Sequence, residues 1–384
     1  MTASLDRTCV LLGVPVDDVT LDEAVGAVAA MVEHGRATGR VHQVATVNVD
    51  FLVNATEHGD LLEILQRSDL SIPDGMPVVW ASRVLGSPLR ERTTGIDLLP
   101  AIAGRAARDG HRVVLFGGAP GVAAQAADLL RDRYPGLDVT PIEAPVIGPD
   151  GVVAAGAVDP LPAIRDCRPD IVCVALGNPK QEHWIARHGE AVGAPVAIGI
   201  GGSLDFLTGV TRRAPAWMQR SGLEWLHRAV SEPRRLIRRY ARDFRVFLPG
   251  VARQAWQGRR RAEAIAPTLD VLDGPDGEVP VVRLTGPLPA ASPETFVASR
   301  LRGGLPVTID LARAGRLDNV TVSTLVGLVR RGRRTGAPVD VVHVPRDVRA
   351  GGTRGLGALL AGANRRPLAT GPGRLRPRGG ESRS

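Results

Sequence analysis

The chain has 384 residues, 44% of them hydrophobic and 23% charged, a balance that fits two folded units and excludes a disordered polymer. Its formal charge of +8 rests almost wholly on arginine, because Lys180 is the only lysine among 48 basic residues. The cysteines Cys9, Cys167 and Cys173 are too few and too irregularly spaced for a disulfide framework or a thiolate metal site, and fit a reducing cytoplasm.

Asp6 and Arg7 precede any apolar run and Asp17 and Asp18 follow closely, so the beginning lacks the order of a secretory signal. From residue 8 to about 208, Val- and Ile-rich runs alternate with stretches of helical periodicity, which predicts an α/β unit with a parallel sheet. Its clearest pairs are a strand over 41–47 with a helix over 50–57, a strand over 112–116 with a helix over 121–134, and a strand over 170–176 with a helix over 180–188. A further strand, 195–200, runs into Gly201 and Gly202. The longest charge-free stretch, between Arg112 and Asp128, is interrupted by glycines and Pro120 and is too short to span hydrocarbon.

Past Gly209 the sheet pattern stops, and residues 211–262 read as two or three helices carrying fourteen arginines against Glu224, Glu232 and Asp243. Such a block favours phosphate, in a diphosphate, lipid headgroups or nucleic acid. A fresh α/β pattern fills 269–350, and the Arg-, Pro- and Gly-rich end, 363–384, is expected to be a disordered tail. The expected organisation is therefore a 1–210 α/β core, a 211–262 basic helical appendage and a small second α/β domain.

Strand ends are where ligands collect in open α/β sheets, so their polar residues are the site candidates. Gly117 and Gly118 stand in a strand-to-helix turn whose backbone amides suit a phosphate, or which simply packs strand against helix; neither a dinucleotide fingerprint nor a Walker lysine accompanies them. Asp74 follows a strand over 70–73 and reads either as a helix cap or as a general base. Thr46 and Asn48 admit capping or sugar recognition. Lys180, Gln181 and Glu182 belong to a dense polar cluster after the 170–176 strand, and Arg92 offers a planar fork to a diphosphate or to solvent.

In order along the chain stand Thr46-Val47-Asn48, Ile72-Pro73-Asp74-Gly75-Met76-Pro77, Glu91-Arg92-Thr93-Thr94-Gly95 and Leu115-Phe116-Gly117-Gly118. Gly177-Asn178-Pro179-Lys180-Gln181-Glu182, Gly199-Ile200-Gly201-Gly202-Ser203-Leu204-Asp205-Phe206, Arg213-Ala214-Pro215-Ala216-Trp217 and Gly222-Leu223-Glu224-Trp225-Leu226-His227-Arg228 follow. Together these segments resemble the WecG/TagA/CpsF family, glycosyltransferase family 26, over about residues 8–248.

The resemblance implies a Rossmann-like sheet and an inverting transfer from a UDP-sugar to an undecaprenyl-diphosphate-linked acceptor, without metal or other cofactor. It implies Asp74 as base, Thr46, Asn48, Arg92 and Gln181 at the pocket, and arginines of the appendage, led by Arg213 and Arg228, on phosphate charge. The appendage is further expected to hold the enzyme at an anionic membrane surface, peripheral on the cytoplasmic face.

Residues 269–348 resemble a STAS domain, through Val281-Val282-Arg283-Leu284-Thr285-Gly286-Pro287-Leu288, Val307-Thr308-Ile309-Asp310-Leu311 and Leu317-Asp318. Asn319 and Val320 stand where that family's phosphoacceptor follows the loop aspartate, with Thr321 and Ser323 nearby; a protein partner and simple packing on the neighbouring domain are both open. Two other classes compete with the transferase: a regulatory protein that holds a nucleotide-sugar without turnover, and a nucleic-acid binder. With 3% aromatic residues a base-stacking platform is disfavoured, and no nucleic-acid partner is expected.

Overall fold

The computed structural model describes residues 7–220, 224–231, 233–261, 268–272, 281–285, 307–314, 317–335 and 339–345; the expected tail, 363–384, lies outside the described residues. An antiparallel hairpin of β1 (Thr8–Leu11) and β2 (Val14–Asp17) leads to α1 (Leu21–Thr38). A reciprocal cap between Thr20 and Glu23 starts α1, and Gly39 in the left-handed region ends it.

The chain then alternates through β3 (His42–Val47), α2 (Val49–Glu57), α3 (Gly59–Arg67), β4 (Leu70–Pro73), α4 (Met76–Val84), α5 (Gly95–Asp109), β5 (Arg112–Gly117) and α6 (Val122–Arg133). It continues through β6 (Asp138–Ile142), α7 (Leu161–Asp166), β7 (Ile171–Ala175), α8 (Lys180–Val192), β8 (Val196–Gly199) and α9 (Ser203–Leu207). Strands β3 to β8 form one sheet in the order β4-β3-β8-β7-β5-β6, with every neighbouring pair parallel. The alternating α/β pattern of the sequence is this sheet.

Burial on both faces explains why these strands read as unbroken apolar runs. Val113, Leu115, Ile171 and Cys173 point into a core shared with α1, α5 and α6, whereas Val114, Phe116, Val172 and Val174 point into one shared with α7 and α8. The helix after β3 packs on one face through Phe51 and Leu52, and the helix after β8 on the other through Leu204. The crevice between the ends of β3 and β8 is thus a topological switch point, where two loops diverge and leave room for a ligand.

The arginine-rich segment forms three helices, α10 (Ala216–Arg220), α11 (Glu224–Ser231) and α12 (Pro233–Arg261). The last of them docks on the core: Phe247, Val251 and Ala255 share an apolar cluster with Phe51, Leu52 and the hairpin's Leu11 and Leu12. No helix among the described residues is long and apolar enough to cross a membrane.

The C-terminal described residues form a second sheet of β9 (Thr268–Leu272), β10 (Val281–Thr285), β11 (Val307–Arg313) and β12 (Val339–Val342), ordered β12-β11-β10-β9, with α13 (Asn319–Thr335) between β11 and β12. Helix α13 lies against the N-terminal hairpin. The Val10 N–H donates to Ser323 Oγ at 3.1 Å, and Arg330 donates to Asp17 Oδ2 at 2.7 Å, both inside the protein. Gln254 of α12 binds along the same β1 edge, accepting from the Leu12 N–H and donating to the Val10 carbonyl. Thr321 and Ser323 are both buried.

Candidate active site

At the carboxyl ends of β3, β4, β7 and β8 the loops open onto a cavity of about 320 Å³, walled on its far side by α11 and α12. Asp74 lines the cavity from the opposite side, directly after β4. Its backbone N–H donates to the Val47 carbonyl at 2.8 Å, which ties the turn to the end of β3. Gly75, with φ +115°, occupies the N-cap of α4, and no side chain caps that helix. The capping role considered for Asp74 is therefore taken by a glycine.

Asn48 and Thr46 also line the cavity, each with a structural bond as well. Asn48 caps α2 by accepting from the Phe51 N–H at 3.3 Å, and Thr46 Oγ1 donates to the Gly199 carbonyl at 2.9 Å. Arg92 is not an exposed charge: its Nη1 lies 2.7 Å from Glu224 Oε2 on α11. Arg213 grips Asp97 with both terminal nitrogens, at 2.7 and 2.9 Å. Burial raises the Asp97 carboxyl, but the hydrogen bonds from Arg213 and Thr94 outweigh it and hold the group below its ordinary range. Arg92 and Arg213, with Arg83 and Arg90, line a second, more open hollow that meets the cavity at Met76 and Arg92. Glu91 and Asp97 stand among them, and Arg90, Arg92 and Arg213 pair with Asp18, Glu224 and Asp97 respectively. Arg228 belongs to α11, but its side chain lies outside the described residues.

The remaining sequence candidates sit behind or beside the cavity. Gln181 and Glu182 are fully buried in the first turn of α8. Gln181 Oε1 accepts from the N–H groups of Gly177 and Gly201, at 3.2 and 3.0 Å, so it braces the two loops that do line the cavity. Its Nε2 donates to Glu182, which also accepts from Asn178, and Asn178 accepts in turn from Asn54 of α2. Burial pushes the Glu182 carboxyl up to about 8 despite the bonds from Gln181 and Asn178, so the group is largely protonated at neutral pH. Room for this pair exists because residue 199 is glycine: a Cβ there would lie 2.5 Å from Gln181 Nε2.

Lys180 opens α8 and does not line the cavity. Gly117 and Gly118 do not line it either. Gly117 has φ +101°, and a Cβ on it would sit 2.8 Å from the Ala175 carbonyl, so its bareness serves the approach of β5 to β7. Gly117→Ala is expected to lower stability by about 1–3 kcal/mol through strain and clash, measured by denaturant unfolding.

Sequence reading expected arginines of the appendage at the site but gave no site role to Asp50, Tyr240, Asp243 or Phe244; these and Arg239, on α2 and α12, all line the cavity. The signal was available in part, since positions 239, 240, 243 and 244 recur at helical spacing and share a face. Burial raises the Asp50 carboxyl against the nearby charges of Arg239 and Arg242. Among the described residues no three of His, Cys, Asp or Glu converge as a metal site.

A switch-point cavity with an aspartate at a strand end and guanidinium groups beside it defines the class: an α/β protein with a ligand-binding crevice at the strand ends. The sequence profile of the glycosyl transferase WecG/TagA/CpsF family matches residues 9–261, and the chain belongs to that family. It is a glycosyltransferase, which sets aside the reading of a nucleotide-holding protein without turnover.

Its relatives include a protein of Bacillus spizizenii strain W23, 31% identical over 192 residues, which cover 50% of this chain and 72% of that one. A protein of Bacillus subtilis strain 168 is 31% identical over 190 residues, with the same shares of 50% and 72%. One of Staphylococcus aureus strain MW2 is 30% identical over 237 residues, covering 62% of this chain and 88% of its own length. All three are named N-acetylglucosaminyldiphosphoundecaprenol N-acetyl-beta-D-mannosaminyltransferase.

Proposed function

We propose that the chain transfers N-acetylmannosamine or a related hexose from a UDP-sugar to a polyprenyl-diphosphate-linked N-acetylglucosamine, with inversion and without a metal ion, in cell-surface polysaccharide or teichoic acid-type synthesis. The names of the relatives supply the acceptor and the sugar. The observation that carries the reading is Asp74, a carboxylate at a strand end on a cavity whose neighbouring hollow is lined by Arg83, Arg90, Arg92 and Arg213.

In such a displacement the acceptor oxygen bonds to the anomeric carbon as the bond to the diphosphate oxygen breaks. Asp74 takes the hydroxyl proton, and the guanidinium groups face the charge that develops on the leaving diphosphate. Thr46 and Asn48 orient a sugar, and Gln181 acts one step back, by holding the glycine loops.

The proposed location is the inner membrane surface. Trp217, Leu226, Val230 and Ile237 are exposed on the arginine-rich helices, and apolar groups among basic ones suit an anionic leaflet. For residues 269–350 a STAS-like, partner-binding role rests on sequence resemblance alone, and the family match ends before it.

The test is UDP release by the full chain with a panel of UDP-sugars and a short-chain prenyl-diphosphate-linked N-acetylglucosamine, with and without chelator. Release that needs both substrates and ignores the chelator is expected. Absence of release with every donor overturns the reading.

A further inference from the structure

Three polar atoms on the α11–α12 wall are buried and lack a hydrogen-bond partner: Asp243 Oδ1, Arg239 Nε and Trp225 Nε1. All three residues line the cavity, and Asp243 is only 2% exposed. A buried polar group left unpaired costs about 1–3 kcal/mol, so three on one wall call for a ligand that completes them.

Their setting is aromatic. Trp225 packs edge-on against Tyr240 and Phe244, with ring centroids 6.2 and 5.3 Å away, and all three rings line the cavity. A pyranose satisfies one acceptor and two donors while lying against aromatic carbon, because each hydroxyl both donates and accepts and the C–H face of the ring is apolar; a flat pyrimidine base meets the same pattern, and UDP affinity in the test separates the two. A diphosphate is the wrong occupant: it offers only acceptors and would face Asp243 and Asp50.

We infer that Asp243, Arg239 and Trp225 form a subsite for the uncharged sugar ring of one substrate, with Asp243 accepting from a ring hydroxyl and Arg239 and Trp225 donating to ring oxygens. The inference deepens the transferase reading and rests on it.

Asp243 is surrounded by Asp50 and Glu57 of α2 and by Arg239 and Arg242 of its own helix. Arg242 is already committed to Asn54 Oδ1 at 2.9 Å and to Glu57, and stands 3.9 Å from Asp243 Oδ1. Burial first, and then the charge of Asp50, push the Asp243 carboxyl up to about 6 against the two arginines. At neutral pH it is a charged acceptor; in mild acid it gains a proton and keeps only the weaker acceptance of a neutral carboxyl.

The test compares wild type, Asp243→Ala and Asp243→Asn as full-length proteins, each checked by thermal melting. Asp243→Ala is expected to raise KM for one sugar substrate about 10-fold or more, the effect of one hydrogen bond to a charged group, with affinity for UDP alone within twofold. A rise confined to the donor assigns its sugar to the subsite, and a rise confined to the acceptor assigns that sugar instead.

Wild-type KM for that substrate should climb below about pH 6, the value to which Asp243 is raised, while the Asp243→Asn profile stays flat. Both KM values within twofold of wild type in folded Asp243→Ala overturn the subsite, as does an equal loss of UDP affinity. If Asp243→Ala does not fold, the pH comparison with Asp243→Asn decides. If wild type releases no UDP, the transferase reading fails separately. Saturation-transfer NMR with N-acetylmannosamine and N-acetylglucosamine then decides the subsite: signal lost in the variants supports it, and equal or absent signal overturns it.

Discussion

Asp74→Asn is expected to cut turnover by about 10²-fold or more while leaving donor binding within a few-fold of wild type. The substitution keeps the size of the side chain and its place after β4, and removes only the ability to take a proton. The turn should survive, because it is held by the backbone bond from Asp74 N–H to Val47 and by Gly75 at the cap, neither of which uses the carboxylate. Single-turnover kinetics together with calorimetric donor titration separate the two effects. Unchanged turnover would remove Asp74 as the base; equal losses of binding and turnover would make it a binding residue instead.

Arg330→Met is expected to destabilise the fold by up to about 3–5 kcal/mol, the cost of removing one member of a buried ion pair, with Arg334 Nη1 still 3.6 Å from Asp17 Oδ1. Asp17 is fully buried, and it accepts from Thr8 Oγ1 and the Ser71 N–H as well as from Arg330. Burial raises its carboxyl, but the charges of Arg330 and Arg334 and the bonds from Arg330 and Ser71 outweigh this and hold it below its ordinary value of 3.8. The contribution of the pair is therefore complete above that ordinary value and is lost as pH falls below it toward the lowered folded one.

Wild type should accordingly lose in strong acid part of what Arg330→Met lacks at neutral pH, and the two unfolding curves should converge as pH falls. Denaturant melts from pH 7 to pH 2 measure this, and curves that stay parallel would deny Asp17 the role. Replacing both partners with apolar residues, Asp17→Leu with Arg330→Met, should recover part of the loss, because the buried carboxylate is gone while Arg334 alone loses its ion-pair partner.

The sequence alone carried the sheet and the order of the strands' active ends. Runs such as 112–116 and 170–176 are legible because burial on both faces demands apolar side chains at every position, and the polar residues that follow them mark the open edge of the sheet. Asp74, Thr46 and Asn48 line the cavity as a reading of strand ends expects, since those positions depend on local backbone direction; Arg92, expected there from the family resemblance, lines it from the loop before α5.

Where a side chain depends on what another segment leaves open, the tertiary structure decided. Gln181 and Glu182 turn inward because Gly199, on a neighbouring strand, has no side chain to stop them. Gly117 serves strand packing because of its distance from Ala175. The wall with Asp243 and Tyr240 meets the strand ends only because α12 folds back on α2, and Arg330 reaches Asp17 across 313 residues of chain. Local pattern encodes periodicity and therefore elements; a cavity is made by segments whose meeting no local period records.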